Sequence, residues 1–303
     1  MENDLKSILE TRFGKSPAGA NKRYFDYALS NRERGRSLYY TIKHFTDFTF
    51  SGSRVLDIGC AYGGFLIRAA ELGASAWGVE ISDRFFEMGK ANIFGEPGDI
   101  QILHGDILSH NIITQLPNDF DLILVNDVFE HIFDTARLLR RILEVSNEKA
   151  IMAFAVPNPF SLDNLLEECH AYKPAASLWD MDHWRDIRGA VTVYYRPWHY
   201  YSAMLKSFGF GSVTPWNQKP DIQKCRSEAL LRLDEVEEAV RAAQYSKSME
   251  AIVLMRLSDL RAELERDVQV LNDDDFWWKY TVPAWHGHAV RNASVADETI
   301  VFS

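Results

Sequence analysis

Cysteine is scarce in this chain, and the three present, Cys60, Cys169 and Cys225, cannot all pair with one another. Their separations match no zinc-ligand spacing, so neither a disulfide framework nor a cysteine-based metal centre is expected. A reducing, cytoplasmic setting is the simplest expectation. Long apolar runs are also missing, and none reaches the roughly 20 residues a membrane-spanning helix needs. The opening Met1-Glu2-Asn3-Asp4 is polar and does not read as a signal peptide. Positive charge is in deficit: 33 Lys and Arg against 43 Asp and Glu leave a formal charge of −10. That balance argues against a general polyanion-binding surface and makes a nucleic-acid partner unexpected. Internal repeats and low-complexity tracts are absent as well. What remains is an ordinary globular composition, 47% hydrophobic and 25% charged, in 303 residues. That length allows one large domain or two small ones.

The most informative stretch is Val55-Leu56-Asp57-Ile58-Gly59-Cys60-Ala61-Tyr62-Gly63-Gly64-Phe65. An apolar run ends in a carboxylate, passes through a glycine-rich turn and enters an amphipathic segment, which reads as strand, tight loop and helix. Glycine lets the loop backbone approach a ligand closely, and the helix start offers unpaired N–H groups. A second short strand, Ala76-Trp77-Gly78-Val79-Glu80, also ends in a carboxylate. In a nucleotide-binding βαβ unit an acidic residue about 20 positions past the loop accepts from a ribose, and Glu80 stands at that distance. Asp106 follows in His104-Gly105-Asp106-Ile107, and a fourth strand runs through Asp121-Leu-Ile-Leu-Val-Asn126-Asp127.

Taken together these segments resemble the class I S-adenosylmethionine-dependent methyltransferases, most closely the small-molecule, ubiquinone- and menaquinone-biosynthesis-like branch. Glu130-His131-Ile132 resembles a Glu-His-Ile that recurs there. The resemblance covers roughly residues 50–157, more weakly to about 257, and departs at Ala61, where the family usually has glycine. It implies that Asp57, Gly59, Cys60, Ala61 and Gly63 hold the methionine part of S-adenosylmethionine, with Asp57 toward its amino group. Glu80 would take the ribose hydroxyls, with Ile81 against the adenine. Asp106 and Ile107 would flank the adenine edge, and Asn126 would lie beside the methionine. His131 is the leading candidate for the base that removes an acceptor proton, against the alternative that it only lines the pocket.

Strands are expected at 54–58, 75–80, 100–104, 120–126 and 149–156, with helices between them. Continuous apolar runs such as Leu122-Ile-Leu-Val125 suit a parallel sheet buried on both faces. The expected fold is α/β: a doubly wound, Rossmann-like, seven-stranded, mostly parallel sheet that binds ligand outside the carboxyl ends of its strands. Residues 1–50 read as a helical lid in which Tyr24 and Tyr27 are candidate cofactor-covering residues. Its basic run Asn31–Arg36 reads as a solvated helix junction in preference to a clamp for an anion. Residues 51–257 read as the methyltransferase domain. Within it, 157–200 is an aromatic insertion on the substrate side, with Phe160, Trp184, Tyr194 and Trp198 as acceptor contacts. His170, His183 and His199 are further candidates there. Asp180, Asp182 and His183 read as an acidic turn rather than a metal site, so no metal is expected.

A helix near 199–207 and a strand near 210–216 are expected next. Residues 217–247 read as a helical insertion, and Ala251-Ile-Val-Leu-Met255 as the strand closing the sheet. Residues 258–303 then form an amphipathic helix, with Leu257, Leu260 and Leu264 on a stripe facing the domain or a second subunit, and an aromatic tail. A homodimer through these elements is the corresponding expectation. The leading functional reading is methyl transfer to a small, aromatic or sugar-like acceptor, at oxygen. A nucleic-acid methyltransferase is disfavoured by the acidic balance, and a dehydrogenase by Ala61 in the loop. A non-catalytic partner-binding module would have little use for the ordered series of carboxylates.

Overall fold

The computed structural model describes residues 2–168, 170–189 and 192–292, so Cys169 lies outside the described residues, as does the side chain of Tyr24. Three helices open the chain: α1 (Glu2–Phe13), α2 (Gly19–Leu29) and α3 (Asn31–Phe45). Strand and helix then alternate through β1 (Arg54–Ile58), α4 (Gly64–Glu71), β2 (Ser75–Glu80), α5 (Asp83–Ile93) and β3 (Asp99–His104). The alternation continues with α6 (His110–Ile113), β4 (Phe120–Asn126), a 3-10 turn at Phe129–His131, α7 (Thr135–Val145) and β5 (Ser146–Pro157). Beyond it come α8 (Leu162–Leu166), α9 (Met181–Arg188), α10 (Trp198–Ser207) and the short β6 (Thr214–Pro215). The long helices α11 (Ile222–Ala242) and α12 (Lys247–Val270) precede α13 (Asp273–Phe276), a π-helical turn at Trp277–Thr281, and β7 (Ala284–Val290).

Seven strands form one sheet in the order β3-β2-β1-β4-β5-β7-β6. The first five are parallel, β7 runs antiparallel to β5, and β6 antiparallel to β7. Alternate residues of the central strands feed opposite cores. Leu56, Ile58, Ile123 and Val125 join one cluster, while Val55, Leu122 and Leu124 join the other with Phe65 and Leu66 of α4. A strand covered on both faces has no polar side to show, which is why these strands read as unbroken apolar runs. The winding reverses between β1 and β4, and in an open α/β sheet such a switch point opens a crevice at the carboxyl ends.

The seventh strand corrects the expectation at 251–255. That run lies inside α12, and the strand beside β5 is Ala284–Val290 instead. A five-residue apolar run cannot be told from buried helix by itself. Ser246 caps the helix by accepting from the Met249 N–H, and Met249, Val253, Leu257, Leu260 and Leu264 are buried along one face. The stripe at Leu257, Leu260 and Leu264 is therefore covered within the chain, in the same core as Leu233, Val236 and Val240 of α11. The aromatic tail packs too: Phe276, Trp277, Tyr280 and Trp285 are buried in that core. Asn158 holds the turn before β7 by donating to the carbonyls of Lys279 and Val282, both at 2.8 Å.

The basic junction at 31–36 is also packed rather than solvated. Arg32 pairs with Glu96 at 2.5 Å, and the Arg34 guanidinium lies 3.3 Å from the Tyr27 ring centre. Here α3 crosses the start of α4 almost backbone to backbone. A Cβ on Gly35 would sit 2.4 Å from the Gly64 carbonyl oxygen. Gly35→Ala should therefore destabilise the protein by about 1–2 kcal/mol, since overpacking at ~1–3 kcal/mol outweighs a helix-propensity gain of up to ~1. Denaturant unfolding would measure this, and a more stable variant would mean that α3 does not pack this closely.

Candidate active site

Four loops meet at the carboxyl ends of the central strands. The loop after β1 is held from several sides. Gly59 has φ +74°, and a Cβ there would come 2.7 Å from Val128 Cγ2, so this loop lies against the one after β4. Ala61 also sits in the left-handed region, with φ +45°, a conformation that normally favours glycine. Its N–H donates to Glu80 Oε2 at 2.9 Å, while Glu80 Oε1 accepts from the Ser82 N–H at 2.8 Å. Glu80 thus ties the first loop to the second. Asn92 ties the first loop to the opening helices by donating to the Tyr62 carbonyl at 2.6 Å and to Asn31 Oδ1 at 2.9 Å. The Tyr62 ring is buried with Leu5, Leu9, Phe25 and Ala28, so α1 and α2 do pack over this loop.

Asp57 ends the apolar run of β1 in a buried position. Burial, aided by the neighbouring Glu80 charge, pushes its carboxyl up to about 7. Burial also drives the Cys60 thiol upward, reinforced by Asp57 and Glu80, which keeps it an unreactive small side chain. Ile81 is 67% exposed next to Glu80, an apolar surface beside a charged one. Asp106 is exposed and its Oδ1 accepts from the Leu108 N–H at 2.8 Å, a turn-capping bond. Ile107 turns inward and belongs to the main core. These placements fit a cofactor that carries a positive charge toward Asp57 and an apolar ring toward Ile81.

The loop after β4 supplies the second half. Asn126 ends the strand, and Asp127 follows with φ +52°, its N–H donating to the Ala155 carbonyl at 3.0 Å. Burial pushes the Asp127 carboxyl up, offset in part by His286, His170, His131 and Arg34. The 3-10 turn then presents Glu130 and His131. Glu130 is 0% exposed, and neither carboxyl oxygen has a hydrogen-bond partner. Burial and the Asp127 charge push it up to about 8. His131 Nδ1 is 2.6 Å from the Thr192 carbonyl oxygen, which can only accept, so Nδ1 carries the proton and Nε2 the lone pair. Burial holds this imidazole below its ordinary range despite that bond.

The segment after β5 is stitched over this turn. The Tyr194 N–H donates to the Glu130 carbonyl at 2.6 Å, and Arg196 donates to the carbonyls of Ile132 and Phe133 at 3.2 and 2.7 Å. His170 comes from the same segment: its Nδ1 is 2.8 Å from Glu168 Oε1, and its ring centre is 5.0 Å from that of His131. Although burial opposes it, hydrogen bonds from His170, the Ala171 N–H and Tyr195 hold the Glu168 carboxyl below the usual range.

The expected acceptor residues separate. Tyr194 packs edge-on to Phe133, at 5.3 Å, at the rim of the turn, and Phe160 is half-buried against the core. Trp184 is 2% exposed and walled by Trp179, while Trp198 lies among Phe154, Trp278 and Trp285. Both indoles thereby serve the packing of the insertion. Asp180 caps α9 by accepting from the His183 N–H at 2.9 Å, and it pairs with Arg256. His286 enters this neighbourhood without any signal in the sequence, because the residues of its strand read as part of an aromatic tail. Two surface depressions lie elsewhere. One, of about 550 Å³, is lined by Tyr40, His44, Phe45 and Trp216; the other, of about 680 Å³, includes Arg54 and Ser75, the first residues of β1 and β2. Neither includes a residue of the loop cluster.

Comparison with known proteins agrees with this geometry. The model of a methyltransferase domain family matches residues 30–214, more than half of the chain. The mitochondrial ubiquinone biosynthesis O-methyltransferase of Schizosaccharomyces pombe is 33% identical over 98 residues, covering 31% of this chain and 34% of that protein. The ribosomal protein L11 methyltransferase of Thermotoga neapolitana is 33% identical over 103 residues, covering 33% of this chain and 36% of that one. The matched parts thus span about a third of these relatives' own lengths. Among solved structures, an S-adenosylmethionine-dependent methyltransferase from Mesorhizobium loti superposes with a TM-score of 0.50 at 17% identity, over 84% of this chain and 96% of that one. The two relatives act on different acceptors by name, yet both align with the same share of this chain. By its family match, its sheet and its strand-end loops, the chain belongs to the class I S-adenosylmethionine-dependent methyltransferases.

Proposed function

We propose that the protein transfers a methyl group from S-adenosylmethionine to an oxygen of a small-molecule acceptor. The observation that carries this reading is His131. Its Nδ1 proton is given to the Thr192 carbonyl, and its depressed pKa keeps the ring neutral near pH 7, so an Nε2 lone pair is available beside the loop after β4. The cofactor supplies an electrophilic methyl on a sulfonium. The chain's part is to hold both reactants in line and to accept the hydroxyl proton. The loop Asp57–Gly63 binds the methionine end, with the Asp57 carboxylate toward the amino group and Asn126 beside it. Glu80 binds the ribose through lone pairs not used by the two amides, with Ile81 and Asp106 toward the adenine, while Ile107 backs that loop from the core. Residues 1–50 cover the cofactor loop, 157–200 cover the acceptor, and Tyr194 with Phe160 offers rings to an aromatic or sugar-like substrate. Among the described residues no helix is long and apolar enough to cross a membrane.

Calorimetry should detect S-adenosylmethionine or its demethylated product and no nicotinamide dinucleotide. Labelled-methyl transfer to a panel of hydroxylated, amine and nucleic-acid acceptors should then mark a small hydroxyl compound. Transfer only to amines or RNA would refute the oxygen assignment, and dinucleotide binding alone would refute the whole reading. Glu80→Ala should weaken cofactor binding by ~1–3 kcal/mol through the lost charge-assisted ribose contact. Unchanged affinity would place the ribose elsewhere.

A further inference from the structure

Glu130, His131 and His170 put one ligand atom each into a space where all three lie within 4.8 Å of one another. Glu130 Oε1 is 3.9 Å from His131 Nε2 and 3.9 Å from His170 Nε2. Each histidine is oriented through its other nitrogen: His131 Nδ1 donates to the Thr192 carbonyl, and His170 Nδ1 to the Glu168 carboxylate. Metal-ligating histidines are held in this way, with Nδ1 fixed by a carbonyl or carboxylate so that Nε2 points at the ion. The carboxylate between them is the residue that the protein alone does not satisfy. Glu130 is 0% exposed with both oxygens lacking a hydrogen-bond donor, and a buried polar group left in that state costs about 1–3 kcal/mol.

We propose that Glu130, His131 and His170 form a binding site for one divalent first-row transition-metal ion. Two imidazoles and one carboxylate suit zinc, manganese, iron or cobalt better than the all-oxygen shells of magnesium and calcium. With bonds of about 2.1 Å, tetrahedral ligands stand roughly 3.4 Å apart, so the 3.9 Å separations close by about half an ångström. Three protein ligands leave at least one coordination position open to an outside ligand. The ligands come from two parts of the chain, Glu130 and His131 from the turn after β4 and His170 from the insertion. The site therefore exists only when the insertion is docked.

The catalytic use of the ion rests on the methyl-transfer reading, whereas its binding does not; with the ion bound, His131 Nε2 is a ligand and solvent, not the imidazole, takes the acceptor proton. An acceptor hydroxyl taking the open position would lose its proton to solvent at neutral pH, as a metal-bound water does. Its oxygen would then form the C–O bond to the methyl carbon as the C–S electron pair returns to sulfur.

Titrating the metal-free protein with Co²⁺ should give visible absorption bands that saturate at one ion per chain, and Zn²⁺ should displace them. Glu130→Gln and His170→Asn should each weaken Co²⁺ binding at least ~100-fold, beyond the ~10–100-fold effect of losing an outer-shell partner. Both variants should still bind S-adenosylhomocysteine in the Asp57–Glu80 half, which certifies their fold. Absence of stoichiometric binding by the wild-type protein, or Co²⁺ spectra unchanged in both variants, would overturn the proposal. Cofactor binding with no metal site would leave His131 acting as a base. A metal site without cofactor binding would sink the methyltransferase activity and leave the site standing.

Discussion

Replacing His131 by alanine should lower turnover roughly 100- to 10,000-fold, the usual range for losing a positioned proton acceptor. Cofactor affinity should change little, because the side chain makes no contact with the Asp57–Gly63 loop or with Glu80 in the hydrogen-bond network. The effect is expected to fall on kcat once an acceptor is in hand. A loss smaller than about tenfold lies outside that range and would make His131 a lining residue, moving proton removal to another group. A collapse in cofactor binding would instead mean that the imidazole shapes the loop after β4. His131→Asn makes a useful companion, since it keeps a polar side chain of similar reach and removes the basic lone pair. Recovery of turnover in that variant would refute proton acceptance at Nε2.

The second large effect concerns pH and Asp57. In the free protein burial keeps this carboxyl protonated up to about pH 7. A cofactor bearing an ammonium and a sulfonium favours the ionised form, so binding below that pH must release a proton. Affinity should therefore rise with pH up to about 7 and then level off. Between pH 8 and 5.5 the loss should be on the order of 30-fold, tenfold for each unit below the free-protein pKa. Calorimetry in buffers of different ionisation enthalpy would count the proton directly. Asp57→Asn should flatten the profile and hold affinity at a low value throughout. A profile unchanged by that substitution would mean that another group couples to the cofactor. For folding the sign is opposite. A carboxyl raised in the folded state stabilises below its unfolded pKa of about 3.8, and that contribution is lost as pH rises through about 7.

The fold's parallel half and its strand-end loops were legible because their signals are local. The carboxyl-end stretches at Asp57, Glu80 and Asn126 are each marked by an apolar run a few residues long meeting a polar residue, and strands β1, β2 and β4 match the sequence expectation residue for residue. Asp57, Gly59 and Glu80 stand out as candidates in the same short segments, since a tight turn and a proposed ribose acceptor each need a residue type at a fixed spacing. The antiparallel edge was not legible. Ala251–Met255 has strand composition, yet its helix is decided by a cap at Ser246 and by a stripe that continues through Leu264. The place beside β5 went to Ala284–Val290, whose Trp285 buries its indole there and whose His286 lies near enough for its charge to act on the Asp127 carboxyl.

The centre at Glu130, His131 and His170 depends still more on tertiary structure. Sequence singled out His131 by its neighbours and left His170 a weak candidate 39 positions away. Only the docking of the insertion, through Thr192, Tyr194 and Arg196 onto the turn after β4, brings the two imidazoles to 5.0 Å. The same docking buries Glu130 without a hydrogen-bond donor. Local residue patterns determined the strand-end turns proposed for the cofactor, because each is formed within a few consecutive residues. Which side chains gather around Glu130 was decided by long-range packing, since their separation in sequence carries no record of their distance in space.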